Sequence, residues 1–317
     1  MTNACKLKIA FAGTPEIAKV ILEKILSSGF QVDLVLTKPD SIAGRGKKLT
    51  PSAVKELAEL NNIPVLTPVS LRSDKVTVQQ IRDLQLDIMV VVAYGLILPQ
   101  EVLDIPKLGC VNIHVSLLPH HRGAAPIQRA VLEGDKTSGI TIIQMDSGLD
   151  TGDILLQKEV VLDRKETSES LHDRLSMIGS DLIVEYLHNY HKIIPQRQSE
   201  TGSSYAHKLE KLEAEINWNQ DAVIIDRQIR AFNPFPGAFC HFKDEAVKIW
   251  RADLVLNNDS LEEPGSIIKI LKDGILVKAK TGAILIQELQ LPGKKRVMAK
   301  EYLNGMGNIE LIGLKYY

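Results

Sequence analysis

Asn112 and His114 stand two residues apart in the apolar run CVNIHVS, residues 110–116, which has the composition of a β-strand. Side chains alternate along a strand, so the two polar groups project from one face. An Asn amide donates to an oxygen that gains charge during a reaction, and a protonated imidazole does so more strongly. A third polar group, Asp150, is the carboxylate of the turn GLDTGD, residues 148–153. A carboxylate beside an imidazole favours the charged ring and fixes its orientation. It can also relay a proton from an attacking amine. The set suits acyl transfer. No Ser or Cys sits beside a base in these segments, so no covalent enzyme intermediate is required. A strand histidine is commonly structural, and an Asp between glycines is commonly a turn residue. Their weight comes from company: an apolar strand, a polar pair at its end, and the ordered segment SLLPHHRGAAP that follows.

Those residues need elements to hold them. Strands are predicted over 8–13, 31–37, 65–67, 88–94, 110–116, 139–145 and 154–162. Helices are predicted from Pro15, over 52–61, up to about residue 86, over 126–133 and from Thr167. The run IMVVVAY at 88–94 is apolar on both faces, as a central parallel strand requires. This alternation predicts an α/β fold, a doubly wound and mostly parallel sheet. Its strands' C-terminal ends are where such sheets place ligands. Residues 191–207 are polar, with a proline and a glycine, and read as a linker. Beyond them, short β-type runs between Gly, Pro, Asn and Asp suggest a small β-barrel of the oligonucleotide-binding (OB-like) kind. The expected division is 1–190, a linker at 191–207, and 208–317.

The 317 residues are 44% hydrophobic and 24% charged with a formal net charge of −1, which excludes a disordered or generally polybasic chain. Cys5, Cys110 and Cys240 are scattered and form no zinc or disulfide pattern. The N-terminal apolar run is too short for a signal peptide, and no stretch could span a bilayer. A cytoplasmic protein is expected. His120 and His121 lack further ligands at metal spacing, so no metal is implied. The basic segment 38–49 (KPDSIAGRGKKL) reads as a loop; it fits neither a P-loop nor GxGxxG, which weakens a nicotinamide-dependent reading. Its Arg45, Lys47 and Lys48 suit nucleic-acid phosphates. In the C-terminal part, Lys208, Lys211, Arg227, Arg230, Lys248, Arg251, Lys294, Lys295 and Arg296 are further basic candidates.

The strings FAGTPEIA, KPDSIAGRGKKLTPSAVK, VVVAYGLILP, VNIHVSLLPHHRGAAPIQRAVLEGD, TIIQMDSGLDTGDIL, YAHKLEKLEAEINW and IRAFNPFPGAF together resemble the methionyl-tRNA formyltransferases, from about residue 6 to the C-terminal end. The resemblance implies a formyltransferase-like Rossmann variant followed by a tRNA-binding domain. It implies that Asn112, His114 and Asp150 are the catalytic trio, with Asn112 and His114 on the oxyanion. It implies 10-formyltetrahydrofolate as donor and the amino group of methionine on initiator tRNA as acceptor, in a protein expected to be monomeric. Folate is expected beside Ser116, Leu117, Leu118 and Pro119, with Tyr94, Gly95, Leu96 and Ile97 lining the other side. The basic loop is assigned to the tRNA acceptor stem. Three positions depart from the usual pattern: Val115, where a small residue is usual, and His120 and His121 before Arg122. They put the detail of the folate contacts in doubt. The other readings are a folate-dependent formyltransferase acting on a sugar amine, and a non-catalytic tRNA-binding protein.

Overall fold

The fold is that of a computed structural model describing residues 7–43, 48–242, 245–257 and 260–304. The chain forms two compact units. The first comprises Met1–Pro126, Thr137–Val160 and His172–Ala206; the second comprises Ile127–Lys136, Val161–Leu171 and His207–Tyr317.

The first unit is built on a seven-stranded sheet. Its order is Ile154–Val161, Thr137–Gln144, Cys110–His114, Ile88–Val92, Ile9–Gly13, Val32–Leu36, Val65–Leu66. The strands from Cys110–His114 to Val65–Leu66 run parallel, and Thr137–Gln144 is antiparallel to Cys110–His114. Ile9–Gly13 and Ile88–Val92 are buried at every position, which explains their unbroken apolar sequence. From Ile9–Gly13 the chain first winds towards Val65–Leu66 and then returns to add Ile88–Val92 on the other side. This reversal leaves a crevice at the strands' C-terminal ends. Thr14 bridges it by donating to the Tyr94 carbonyl at 2.9 Å.

Helices cover both faces. In Glu16–Ser27 the residues Ile17, Ala18, Ile21, Leu22 and Ile25 are buried at helical spacing. Ser52 caps Ala53–Leu60 by accepting from the Lys55 amide and also bonds Thr37 at 2.7 Å. The long helix Ser168–Asn189 turns Gly179 towards Ile113, Ile140 and Ile21, with room there for no more than a methyl group in ordinary contact. Ile113 thus faces this helix, so its neighbours Asn112 and His114 face the opposite side.

Two expectations change. Residues 38–49 are not a plain loop: Ser41–Ala43 and Lys48–Thr50 pair as an antiparallel hairpin. Residues 191–206 are not a free linker. Gln196 exchanges backbone bonds with Ile154, and Tyr205–Ala206 pairs in parallel with Arg122–Gly123.

The second unit holds a six-stranded antiparallel sheet, Phe239–Phe242, Glu245–Val255, Ala283–Gln290, Gly274–Lys278, Ile267–Leu271, with Val297–Met298 on Ala283–Gln290. This is the expected β-rich domain; among the described residues its pairing runs as a path and is not closed into a barrel. Ile225 and Ile229 of the helix Ala222–Ala231 pack with Trp218, Phe232, Ile249 and Ile286. The helix Pro126–Glu133, read from sequence as part of the first domain, clusters here instead. Leu132 joins this apolar cluster, and Arg129 makes a forked bond to Glu213.

The Arg129 guanidinium holds the Glu213 carboxyl below its ordinary range. A carboxyl depressed in the folded state contributes stability above its unfolded pKa and loses it as pH falls through the folded one. Arg129→Met is therefore expected to cost about 1–2 kcal/mol near neutrality. In urea titrations that difference should shrink as pH falls through and below the ordinary carboxylate range. A difference constant across that window would contradict the assignment.

Candidate active site

The strand Cys110–His114 ends with His114 buried (6% exposed) and Asn112 half-buried. Asp150 comes to them from the loop between Thr137–Gln144 and Ile154–Val161. Asn112 Nδ2 donates to Asp150 Oδ1 at 3.3 Å, and His114 Nδ1 lies 3.6 Å from Asp150 Oδ2. The same Oδ2 accepts the Gly123 amide at 2.8 Å. One carboxylate therefore gathers two strand residues and the following loop.

The Asp150 backbone is left-handed, with φ of +55°. Such backbone costs a non-glycine residue of order 1–3 kcal/mol and persists where the surroundings enforce it. Ala93 and His121, in the other two loops of the site, share this conformation. Within the Asp150 loop, Asp146 accepts from the Gly148 amide and the Thr151 hydroxyl. Gly152 packs so closely on the Gln144 carbonyl that any Cβ there would collide with backbone.

His114 Nε2 lies 2.8 Å from the His121 carbonyl. A carbonyl can only accept, so Nε2 carries a proton and Nδ1 is the nitrogen left for chemistry. Ser116 donates to the His120 carbonyl at 2.6 Å. Ser204 bonds both the His121 amide and His120 Nδ1, at 2.9 and 2.7 Å. His121 is buried (2% exposed) against His114.

The nearby cavity has a volume of about 430 Å³. It is lined by Arg72, Leu96, Ile97, Leu98, Ile143, Met145 and the loop 146–150, including Asp150. Of the expected folate residues, Leu96 and Ile97 line it. Ser116, Leu117, Leu118 and Pro119 do not. Leu118 is buried, its amide donating to Thr141 and its carbonyl accepting from Gln157. Leu117 fills the space beside Gly139. These backbone groups are already satisfied within the protein. The Tyr94 side chain lies in the core, where burial pushes its phenol pKa up, and Lys38 lies across Gly95. Arg72, Leu98, Ile143, Met145 and residues 146–149 also line this cavity and were not among the sequence-based candidates. Exposed Ile97 and Leu149 beside Asp150 are the clearest trace of this wall in the chain.

No described cysteine competes as nucleophile: burial and Asp104 push the Cys110 thiol up to about 12, and Cys240 is buried. Cys5 lies outside the described residues.

The basic candidates separate into groups. Arg45 and Lys47 lie outside the described residues, and Lys48 is exposed on its hairpin. In the second unit, Arg230 is spent on Asp226 and the Glu166 carbonyl, and Arg227 on the Glu133 carbonyl. Lys208, Lys211, Lys294 and Lys295 are exposed. Lys248 and Arg296 both lie over the Trp250 ring, at 5.4 and 3.5 Å from its centroid. Exposed Arg251 contacts the Met298 sulfur.

A family model described as Formyl transferase matches residues 7–187, and one described as Formyl transferase, C-terminal domain matches 208–307. The methionyl-tRNA formyltransferase of Chromobacterium violaceum is 48% identical over 94% of this chain and 96% of its own. That of Coxiella burnetii is 47% identical over 95% and 96%. Among solved structures, HypX from Aquifex aeolicus, crystallised with tetrahydrofolic acid, aligns with a TM-score of 0.65 at 17% identity, covering 94% of this chain and 47% of that one. The N-formyltransferase of Helicobacter canadensis, in complex with folinic acid and dTDP-3-aminofucose, aligns at 0.65 and 22%, covering 88% and 98%. At these identities the structures speak for the fold alone, whereas the sequence matches run nearly end to end. The chain belongs to the methionyl-tRNA formyltransferase family.

Proposed function

We propose that the protein transfers the formyl group of 10-formyltetrahydrofolate to the amino group of methionine on initiator tRNA. The observation that carries this reading is the convergence of Asn112 and His114 on Asp150, which itself lines a largely apolar cavity. The relatives' names supply the acceptor. The cavity suits a flat heterocycle: Leu96, Ile97, Leu98, Ile143 and Met145 give apolar walls, and the backbone of 146–150 gives polar edges. Its volume lies in the ordinary range for small-molecule sites.

The neutral amine attacks the formyl carbon, and the carbonyl electrons move onto oxygen. Asn112 Nδ2 has two protons; one serves Asp150, and the other is left for that oxyanion. His114, with Nε2 held on the His121 carbonyl, acts through Nδ1. Asp150 stabilises the charged ring and takes part in moving the amine's proton. Collapse of the adduct expels N10 of the folate, which leaves protonated. Exposed Lys48, Arg251, Lys294, Lys295 and Arg296 serve the tRNA phosphates, with half-buried Lys248 beside them.

The direct test incubates the protein with 10-formyltetrahydrofolate and charged initiator tRNA and follows formyl-methionine. Formylation of a sugar amine, with none on tRNA, would sink the acceptor assignment. Asn112→Ala should lower kcat about 10²- to 10³-fold with tRNA binding retained; unaltered turnover would remove it from the oxyanion. Replacing Lys294, Lys295 and Arg296 together by Glu should weaken tRNA binding and reduce its log–log salt slope by about 1–3. An unchanged slope would place this cluster outside the interface.

A further inference from the structure

The Asp150 loop turns on a left-handed residue, a conformation that Asp adopts more readily than most side chains but that its surroundings must still fix. Gln198, in the segment that reads as a polar linker, supplies such a hold. Its Nε2 donates to the Asp150 carbonyl at 2.8 Å and to the Gly152 carbonyl at 2.7 Å. Its Oε1 accepts from Arg122 Nε and Nη2 at 3.2 and 2.9 Å. Both residues are buried, at 6% and 2% exposure. Every hydrogen-bonding site of the amide is used. Two residues earlier, Gln196 is fixed to Ile154 by a pair of backbone bonds, so the side chain is delivered from a pinned segment.

Arg122 connects this amide to the second loop of the site. It stands between His121, whose carbonyl takes His114 Nε2, and Gly123, whose amide binds Asp150 Oδ2. Gln198 thus ties together the loop that presents the carboxylate and the loop that orients the imidazole.

We propose that Gln198 is a positioning residue for the transfer reaction, holding Asp150 in the conformation that aims its carboxylate at Asn112 and His114. It touches no reacting atom; it acts through Asp150. Its chemistry is specific to an amide. A Glu would still pair with Arg122, yet would set a lone-pair oxygen against two carbonyls. An Ala would leave two carbonyls without their donor and the buried guanidinium with only Glu200, at 3.8 Å, to face.

The kinetic effect rests on the formyl-transfer reading, so the test joins kinetics to a measurement that needs no activity. Gln198→Glu is the informative variant, because the Arg122 pair favours a folded protein. In hydrogen–deuterium exchange, amides 148–152 should exchange faster in Gln198→Glu, with the sheet strands unchanged. The kcat should fall about tenfold or more, with KM for tRNA nearly constant. Asp150→Asn combined with Gln198→Glu should be scarcely slower than Asp150→Asn alone, since both act through one carboxylate. Multiplying defects, or wild-type kcat in Gln198→Glu, would overturn the proposal. Unchanged exchange at 148–152 would overturn it too. A wild-type protein inactive on tRNA, with faster loop exchange in Gln198→Glu, would fault the proposed function and leave the hold on Asp150 standing.

Discussion

A single carboxylate bonded in three directions sets the geometry of the site. Asp150 accepts from Asn112 and Gly123 and faces His114 Nδ1. A carboxylate oriented by several donors stays in place, and it can steady a ring that gains charge during reaction. The seven-stranded sheet supplies the rigid edge on which Asn112 and His114 stand. The reversal in strand order opens the crevice beside them. Everything else about the site concerns bringing a loop to that edge and keeping it there.

The loop is held by means other than the sheet ladder. Asp146 closes its start through Gly148 and Thr151, Gly152 lies flat against the Gln144 carbonyl, and Gln198 takes the carbonyls of Asp150 and Gly152. The imidazole is held in a similar way. His121, itself in left-handed backbone, turns its carbonyl to Nε2, and Ser116 and Ser204 fix the chain on either side of it. Left-handed backbone at Ala93, His121 and Asp150, in three loops at the end of the sheet, is what a preorganised site requires. Reorganisation is then completed on folding and not repeated at each turnover.

Much of this was legible in the sequence, because it is local. Alternation along 110–116 put Asn112 and His114 on one face, and the apolar run at 88–94 marked a central strand. What depends on long-range pairing was not. Nothing periodic in 193–204 signals that Gln198 reaches Asp150 or that Ser204 bonds His120. Leu118 has the composition of either a pocket wall or a core residue; it is buried, with its backbone bonded to Thr141 and Gln157. The helix Pro126–Glu133 was placed correctly as a helix, but its unit depends on Arg129 and Leu132 meeting residues far along the chain. Arg230 and Arg227 illustrate a further limit: composition counts charges, whereas only geometry shows which are spent internally.

The central claim is that Asp150 acts by holding and tuning His114 beside Asn112. The pH dependence of single-turnover formyl transfer, compared between wild type and Asp150→Asn, tests it most directly. The account predicts that the wild-type profile has a limb that Asp150→Asn removes or displaces, along with a large loss of rate at the plateau. Profiles of identical shape, differing only by a scale factor, would contradict it.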